Sequence, residues 1–429
     1  MLKNLPLLKD PWATTGFFLR LMTKAEYLEA FKKTSQNWCF SFAPGRIEFL
    51  GNHLDYNGGT VLGMAVNAGI YCLGVPHSEN HHLGISQDQN QFSLFSESFE
   101  DSEFVGNLDK IEKQSGKYGW TNYCLGVLQQ LQNRELSPKE GFRLIFTSNL
   151  PTSVGLSSSA ALELATCLTL LQLAEKNLEK KELVTLCREA ENHFVGLPCG
   201  ILDQGTSAFG KKDQLVYIDC KKEEFSNLAL PSDTRVWIFN TGIKHDLVDS
   251  LYSTRHEECM EVLQRGQKVY PAKEYLTDFT LEELNSLTLP ENLKKRGIHV
   301  IEEQTRVSLF REGLIKKLNP EKLGKLLADS HVSSSMHFEN SCPELDFLSE
   351  MLNRHPNVLG ARLTGGGFGG AVMAWTQSKF LQDDAESIVQ AYAGKFNQTI
   401  DWHQFEPSDG AGKENLLDAP PTRLSEMHR

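Results

Sequence analysis

Short runs rich in Val, Ile and Leu alternate along the chain with longer stretches whose apolar residues recur at helical spacing. This mixture predicts an α+β or α/β enzyme rather than a helical bundle or a β-sandwich, and no repeat of solenoid length interrupts it. Residues 42–50 read as a strand entering a turn, and 141–146 as a second strand ending before Asn149-Leu150-Pro151. After Gly155, residues 156–173 have helical spacing and strong helix formers, so the serines at 157–159 sit at a helix start. Residues 182–194 read as a helix that stops at Gly196-Leu197-Pro198, because Gly and Pro continue helices poorly. Strands are expected over 215–220 and 234–240, helices over 294–317 and 343–353, and a strand pair flanking the glycines at 365–370. A boundary near 226–232 divides the chain into an N-terminal lobe, 1–228, and a C-terminal lobe, 229–406. The polar composition beyond Pro407 predicts a flexible tail over 407–429.

The chain has 429 residues, enough for two packed lobes or one large domain with a cleft. Its 40% hydrophobic and 23% charged content is ordinary for a globular enzyme. The formal charge of -12 and the pI near 5.6 argue against a general nucleic-acid surface, which needs clustered Lys and Arg. The apolar stretch over 61–75 is broken by Gly and polar residues and does not suit a bilayer, and residues 1–20 lack the pattern of a secretory leader. A cytoplasmic, monomeric protein without membrane or nucleic-acid partners is expected. Nine dispersed Cys residues with no CxxC pair read as reduced thiols rather than disulfides or a zinc site. His81 and His82 read as surface residues of a polar loop.

Three segments carry candidate chemistry. The first is Leu150-Pro-Thr-Ser-Val-Gly-Leu-Ser-Ser-Ser-Ala-Ala-Leu162. A helix N-terminus has unpaired N–H groups and partial positive charge, so small residues there let an anion approach. A serine-rich start is equally an ordinary cap when taken alone. The segment lacks GxxxxGK[ST], and the chain lacks the protein-kinase motif set. The second segment is Ala43-Pro-Gly-Arg-Ile-Glu-Phe-Leu-Gly-Asn-His-Leu-Asp-Tyr-Asn-Gly-Gly59, whose carboxylate and imidazole suit sugar hydroxyls. The third is Arg362-Leu-Thr-Gly-Gly-Gly-Phe-Gly-Gly-Ala371, where glycines allow close backbone approach.

Together, in this order, the three segments resemble the motifs of the GHMP small-molecule kinases, and the second resembles the galactokinase signature. Trp120-Thr-Asn-Tyr123, Gly196-Leu-Pro-Cys-Gly-Ile-Leu-Asp-Gln204 and Ser341-Cys-Pro-Glu-Leu-Asp346 extend the resemblance over roughly residues 38–400. It implies an α+β, two-lobed GHMP kinase fold with the active site in the cleft between the lobes. The implied reaction is ATP-dependent phosphorylation of D-galactose at its anomeric hydroxyl, with ATP as co-substrate and Mg²⁺. Asp203 is then the catalytic base that accepts the hydroxyl proton, and Arg46 is the cation beside it that also stabilises the transferring phosphoryl group. Asp55, His53, Asn52, Gly200, Tyr252 and Glu48 become sugar-site residues. Gly155, Leu156, Ser157, Ser158, Ser159, Ala160 and Trp120 become ATP-site residues, and Ser158 and Glu191 metal ligands. Without the resemblance, Asp203 reads as a helix cap, Glu191 as a solvated acid and Trp120 as a core residue.

The chain departs from the family pattern twice. Galactokinases usually carry Glu where this chain has Asn52, and Asn where it has Glu48. Asn52 is neutral and shorter, and Glu48 is a candidate to restore the carboxylate from a neighbouring position. Two alternative functions follow: a kinase for N-acetylgalactosamine, a uronate or a pentose, and a non-catalytic sugar and ATP-binding regulator. The intact phosphate segment, Arg46 and Asp203 favour an active enzyme.

Overall fold

The fold is described from a computed structural model in which residues 37–77, 88–98, 103–151, 155–243 and 248–413 are described, the side chains of 248–250 excepted. Strands β1 (Cys39–Leu50) and β2 (Thr60–Pro76) are buried along almost their whole length. Both faces of these strands are covered, which explains why they are near-continuous apolar runs instead of alternating ones. They pair antiparallel and head a sheet completed by β3 (Gln91–Ser96), β4 (Phe104–Asn107), β5 (Phe142–Ser148), β6 (Gln214–Asp219), β7 (Glu224–Ala229) and β12 (Gly412–Lys413). The strand order is β12-β1-β2-β5-β3-β4, with β6 attached to β2 and β7 to β6; β3 and β5 run parallel and the other pairs antiparallel. Long β2 serves two partners, pairing β6 through Thr60 to Gly63 and β5 through Ile70 to Pro76.

Helices α1 (Thr121–Asn133), α2 (Ser158–Leu173), α3 (Lys180–Glu189) and α4 (Leu202–Phe209) cover this sheet. Helix α2 packs on β1 and β2 and contacts α1, α3 and α4, which accounts for its apolar residues on nearly every side. Ser157, in the left-handed region at φ 49°, precedes it. The turn Ala190–Val195 widens the end of α3 into a π-helix, a feature often found at functional sites.

The second sheet has the order β11-β8-β10-β9, formed antiparallel by β8 (Thr234–Asn240), β9 (Val358–Thr364), β10 (Ala371–Gln377) and β11 (Asp401–Phe405). With it go α5 (Val248–Gln267), α6 (Leu281–Ser286), α7 (Glu291–Ile315), α8 (Pro320–Ser333), α9 (Pro343–Arg354) and α10 (Gln382–Phe396). The π turn Ser334–Phe338 continues α8. The architecture is α+β, as the sequence predicts. The main core crosses from one sheet to the other. Phe49 of β1 meets Phe310 of α7 and Trp375 of β10 at ring distances of 5.4 and 5.9 Å.

Residues 407–413 differ from expectation. They are not a free tail but a clasp on the first sheet. Ser408 donates from N to the Ala65 carbonyl at 2.9 Å and from Oγ to the Val66 carbonyl at 2.7 Å, Ala411 N donates to the Ser207 carbonyl at 2.8 Å, and β12 pairs with β1. The polar residues there satisfy the backbone of packed strands instead of facing water. Residues 414–429 lie outside the described residues, as do His81 and His82 and positions 152–154 of the phosphate segment.

Candidate active site

Arg46 and Glu48 alternate on β1 and therefore project from the same face of the strand. Arg46 Nε donates to Asp203 Oδ1 at 2.7 Å and its Nη1 to the Gly155 carbonyl at 2.8 Å, while its backbone N donates to the Leu156 carbonyl at 2.9 Å. Ser157 Oγ donates to the other Asp203 oxygen, Oδ2. One side chain of α4 thus ties β1 to the loop that opens α2. Burial works against the Arg46 charge, but Asp203, with Glu48 and Asp55 further off, outweighs it and raises the Arg46 pKa above its ordinary value.

Because the Ser157 hydroxyl is turned to Asp203, it makes no capping bond to α2. The first-turn amides of a helix have no partner within it, so Ser158, Ser159 and Ala160 leave an N-terminus suited to an anion. A side chain at Gly155 would meet open space, and its φ of 70° favours glycine.

A cavity of about 250 Å³ adjoins this junction, lined by Arg46, Glu48, His53, Asp55, Glu191, Asp203 and Tyr252 among the residues expected from sequence. It is also lined by Gly365-Gly366 of the third, glycine-rich segment, and by Leu197-Pro198-Cys199, Leu202 and Ser253, to which sequence reasoning gave no site role. Gly200 sits directly behind Asp55: a Cβ there would come within 2.1 Å of Asp55 Oδ2. Burial, then the charges of Asp203 and Glu48, push the Asp55 pKa up to about 7. His53, at φ 59°, stacks on Phe338 at 4.3 Å. Its Nε2 lies 3.3 Å from the Gly366 carbonyl and 3.2 Å from Asn340 Nδ2, and its Nδ1 lies 2.8 Å from the Tyr56 hydroxyl, so both ring nitrogens have partners within the protein. Burial lowers the His53 pKa to about 3 and keeps it neutral.

Glu191, on the π turn, accepts at Oε2 from Gln204 Nε2 at 2.7 Å and from Cys199 Sγ at 3.2 Å, while its Oε1 accepts no hydrogen bond among the described residues. The same Gln204 amide reaches Glu163 Oε2 at 2.9 Å. Burial, followed by the Asp203 charge, raises the Glu191 pKa.

The structure does not bring every expected residue to the cavity. Asn52 is wholly buried and its amide is spent inside the protein. Its Nδ2 donates to Glu48 Oε1 at 3.0 Å and the Gly365 carbonyl at 2.9 Å, and its Oδ1 accepts from Asn340 at 2.9 Å and Ser334 at 3.4 Å. Its backbone N, with that of Gly51, donates to Glu303 of α7 at 3.2 and 3.0 Å. Trp120 sits before α1, edge-on to Phe146 at 5.9 Å, and is not part of the cavity wall. Leu156 is buried beneath its loop, and Ser158 is exposed at the start of α2.

Family models match in three places: the GHMP kinases N terminal domain over residues 122–211, the GHMP kinases C terminal domain over 311–396, and the galactokinase galactose-binding signature over 25–76. Fold and site together define a small-molecule kinase of the GHMP class. The chain is 37% identical over 374 residues to galactokinase of Thermotoga neapolitana, an overlap covering 86% of this chain and 99% of that protein. The crystal structure of Lactococcus lactis galactokinase complexed with galactose superposes with a TM-score of 0.83 at 30% identity, covering 92% of this chain and 100% of the other. The chain belongs to the galactokinase family. Mevalonate kinase of Methanococcus jannaschii, at 17% identity and TM-score 0.59 over 87% of this chain and 100% of its own, shares the fold alone.

Proposed function

We propose that this protein transfers the γ-phosphoryl group of ATP to the anomeric hydroxyl of D-galactose, giving galactose 1-phosphate and ADP. The observation that carries this reading is the Arg46–Asp203–Ser157 junction, which joins the cavity to the open N-terminus of α2. Asp203 accepts the proton of the attacking hydroxyl, and Arg46 orients Asp203 and offsets charge on the phosphoryl group. The α2 amides cradle the phosphates. Asp55 and Tyr252 flank the sugar, and neutral His53, with both ring nitrogens engaged within the protein, forms part of the cavity wall.

Magnesium fits the residues present. Mg²⁺ is usually held by one or two carboxylates plus substrate phosphates, and Glu191 has a cavity-facing carboxylate with one oxygen unengaged. Glu191 and the exposed hydroxyl of Ser158 would hold it, and the ion would neutralise charge on the phosphate oxygens.

A uronate suits this cavity poorly. Among the described residues, Glu48, Asp55 and Asp203 line the cavity with one Lys or Arg, Arg46, already bonded to Asp203, so a substrate carboxylate would find no free cation among them. No helix among the described residues is long and apolar enough to cross a membrane, and a cytoplasmic location follows from the need for ATP. A coupled ADP-release assay over galactose, N-acetylgalactosamine, galacturonate and arabinose tests the proposal. Release with galactose supports it. Release only with another sugar, or sugar binding without release, overturns it.

A further inference from the structure

Glu48 and Asn52 stand in each other's family positions, and the structure bonds them together. Asn52 Nδ2 donates to Glu48 Oε1 at 3.0 Å and more weakly to Oε2 at 3.3 Å. Behind them Arg362 of β9, wholly buried, donates from Nη2 to Glu48 Oε1 at 2.9 Å and from Nη1 to the Glu48 and Phe49 carbonyls at 3.3 and 3.4 Å. One carboxylate oxygen is therefore anchored twice. The other has just the long Asn52 contact, and the Glu48 side chain lines the cavity. A carboxylate has about four acceptor sites, so Oε2 retains capacity for a ligand hydroxyl. Asn52 has none left, since its two donors and its oxygen are all engaged.

Position along the strand says which end of a sugar Glu48 meets. Side chains two residues apart on a strand lie roughly 6.6 Å apart on one face, comparable to a pyranose ring with its hydroxymethyl arm. With the Arg46–Asp203 pair at the acceptor oxygen, Glu48 lies one such spacing along β1 from that end of the cavity, whose lining also includes His53.

We propose that Glu48 and Asn52 are one exchanged carboxylate–amide unit, in which Asn52 and Arg362 hold the Glu48 carboxylate toward the cavity to accept the hydrogen bond of the sugar's hydroxymethyl group. Glu48 is thus a specificity-determining residue, and Asn52 a positioning residue that never touches substrate. The inference rests on the galactokinase reading. It also explains why the two departures occur together. A carboxylate at 52 with Glu48 retained would set two anions side by side and face the Gly365 carbonyl, leaving acceptors without donors. An amide at 48 with Asn52 retained would remove the carboxylate bonded to buried Arg362.

The experiment compares wild type, Glu48→Gln, Glu48→Asn, Asn52→Glu and the double variant Glu48→Asn/Asn52→Glu. For each, kcat/KM is measured with galactose and with 6-deoxygalactose, together with the KM for ATP and thermal unfolding. Wild type is expected to prefer galactose by about 10-fold or more, the range of a charge-assisted hydrogen bond. Glu48→Gln, close in shape, is expected to lose most of that preference through galactose alone, with the KM for ATP unchanged. Each exchange variant alone should lose stability and preference, and the double variant should regain both. A folded Glu48→Gln enzyme that keeps the full preference, or a double variant no better than the worse single one, overturns the proposal. Absence of galactose-dependent ADP release from wild type would instead overturn the underlying function, and with it the sugar contact.

Discussion

Asp203 has both carboxylate oxygens committed, one to Arg46 and one to Ser157, so its position is set from two elements before any substrate arrives. Asp203→Asn removes the proton acceptor while conserving shape. Turnover should fall about 10²- to 10⁴-fold, read by ADP release, with ATP affinity by calorimetry nearly unchanged. Asp55 makes a different prediction. Its folded pKa of about 7 lies above its ordinary value, so ionisation works against the fold. The stability contributed by its neutral form is complete below the ordinary carboxylate range and is lost as pH rises through 7. Asp55→Asn should therefore melt higher than wild type at pH 8 while weakening galactose binding, as thermal unfolding and sugar titration would show. At this scale the sequence was informative where the chemistry is contiguous, as in residues 43–59. It misjudged Asn52, because nothing local reveals that Asn340, Ser334 and Gly365, some 300 positions away, use up its amide.

Elements bring these residues together under close steric and polar constraint. Gly200 precedes α4 with its backbone pressed on Asp55, and a methyl group there would displace the carboxylate. Gly200→Ala should raise the KM for galactose by at least about 10-fold, a loss comparable to one charged hydrogen bond, with the KM for ATP little changed. Helix α7 supplies a second support. Glu303 Oε1 accepts from the amides of Gly51 and Asn52, its Oε2 accepts from Arg306 Nε at 2.6 Å, and His299 Nε2 lies 3.2 Å from the Asn52 carbonyl. Burial raises the Glu303 pKa, but Arg306 and Arg362 outweigh it and bring it to about 2. Glu303→Gln, which removes the buried anion of Arg306 and leaves it only the more exposed Glu302 at 3.5 Å, should destabilise the protein by about 3 kcal/mol in denaturant unfolding. The phosphate helix was readable because its small residues form one run. The α7 support left a fainter trace, polar residues at 299, 303 and 306 on one helical face of a buried helix, which ordinarily reads as a solvated stripe.

The whole molecule is closed by pairing distant in sequence. Strand β1 binds β12 near the end of the described chain, and Ser408 secures residues 407–413 to β2. Truncation before Pro407 should cost about 3 kcal/mol, from several backbone hydrogen bonds near 1 kcal/mol each, and lower the melting temperature. An unchanged melt would restore the view of this segment as a tail. Fold class and motif order were legible because three widely spaced motifs must meet to make one site. The clasp was not, since strand pairing depends on tertiary partners and its sequence is polar. The central claim is that these distant parts converge on the anomeric oxygen of galactose, and phosphorus NMR of the product formed from ATP and galactose tests it most directly. The account predicts a phosphate coupled to the anomeric proton, galactose 1-phosphate. A phosphate on the hydroxymethyl carbon, or no sugar phosphate at all, would contradict it.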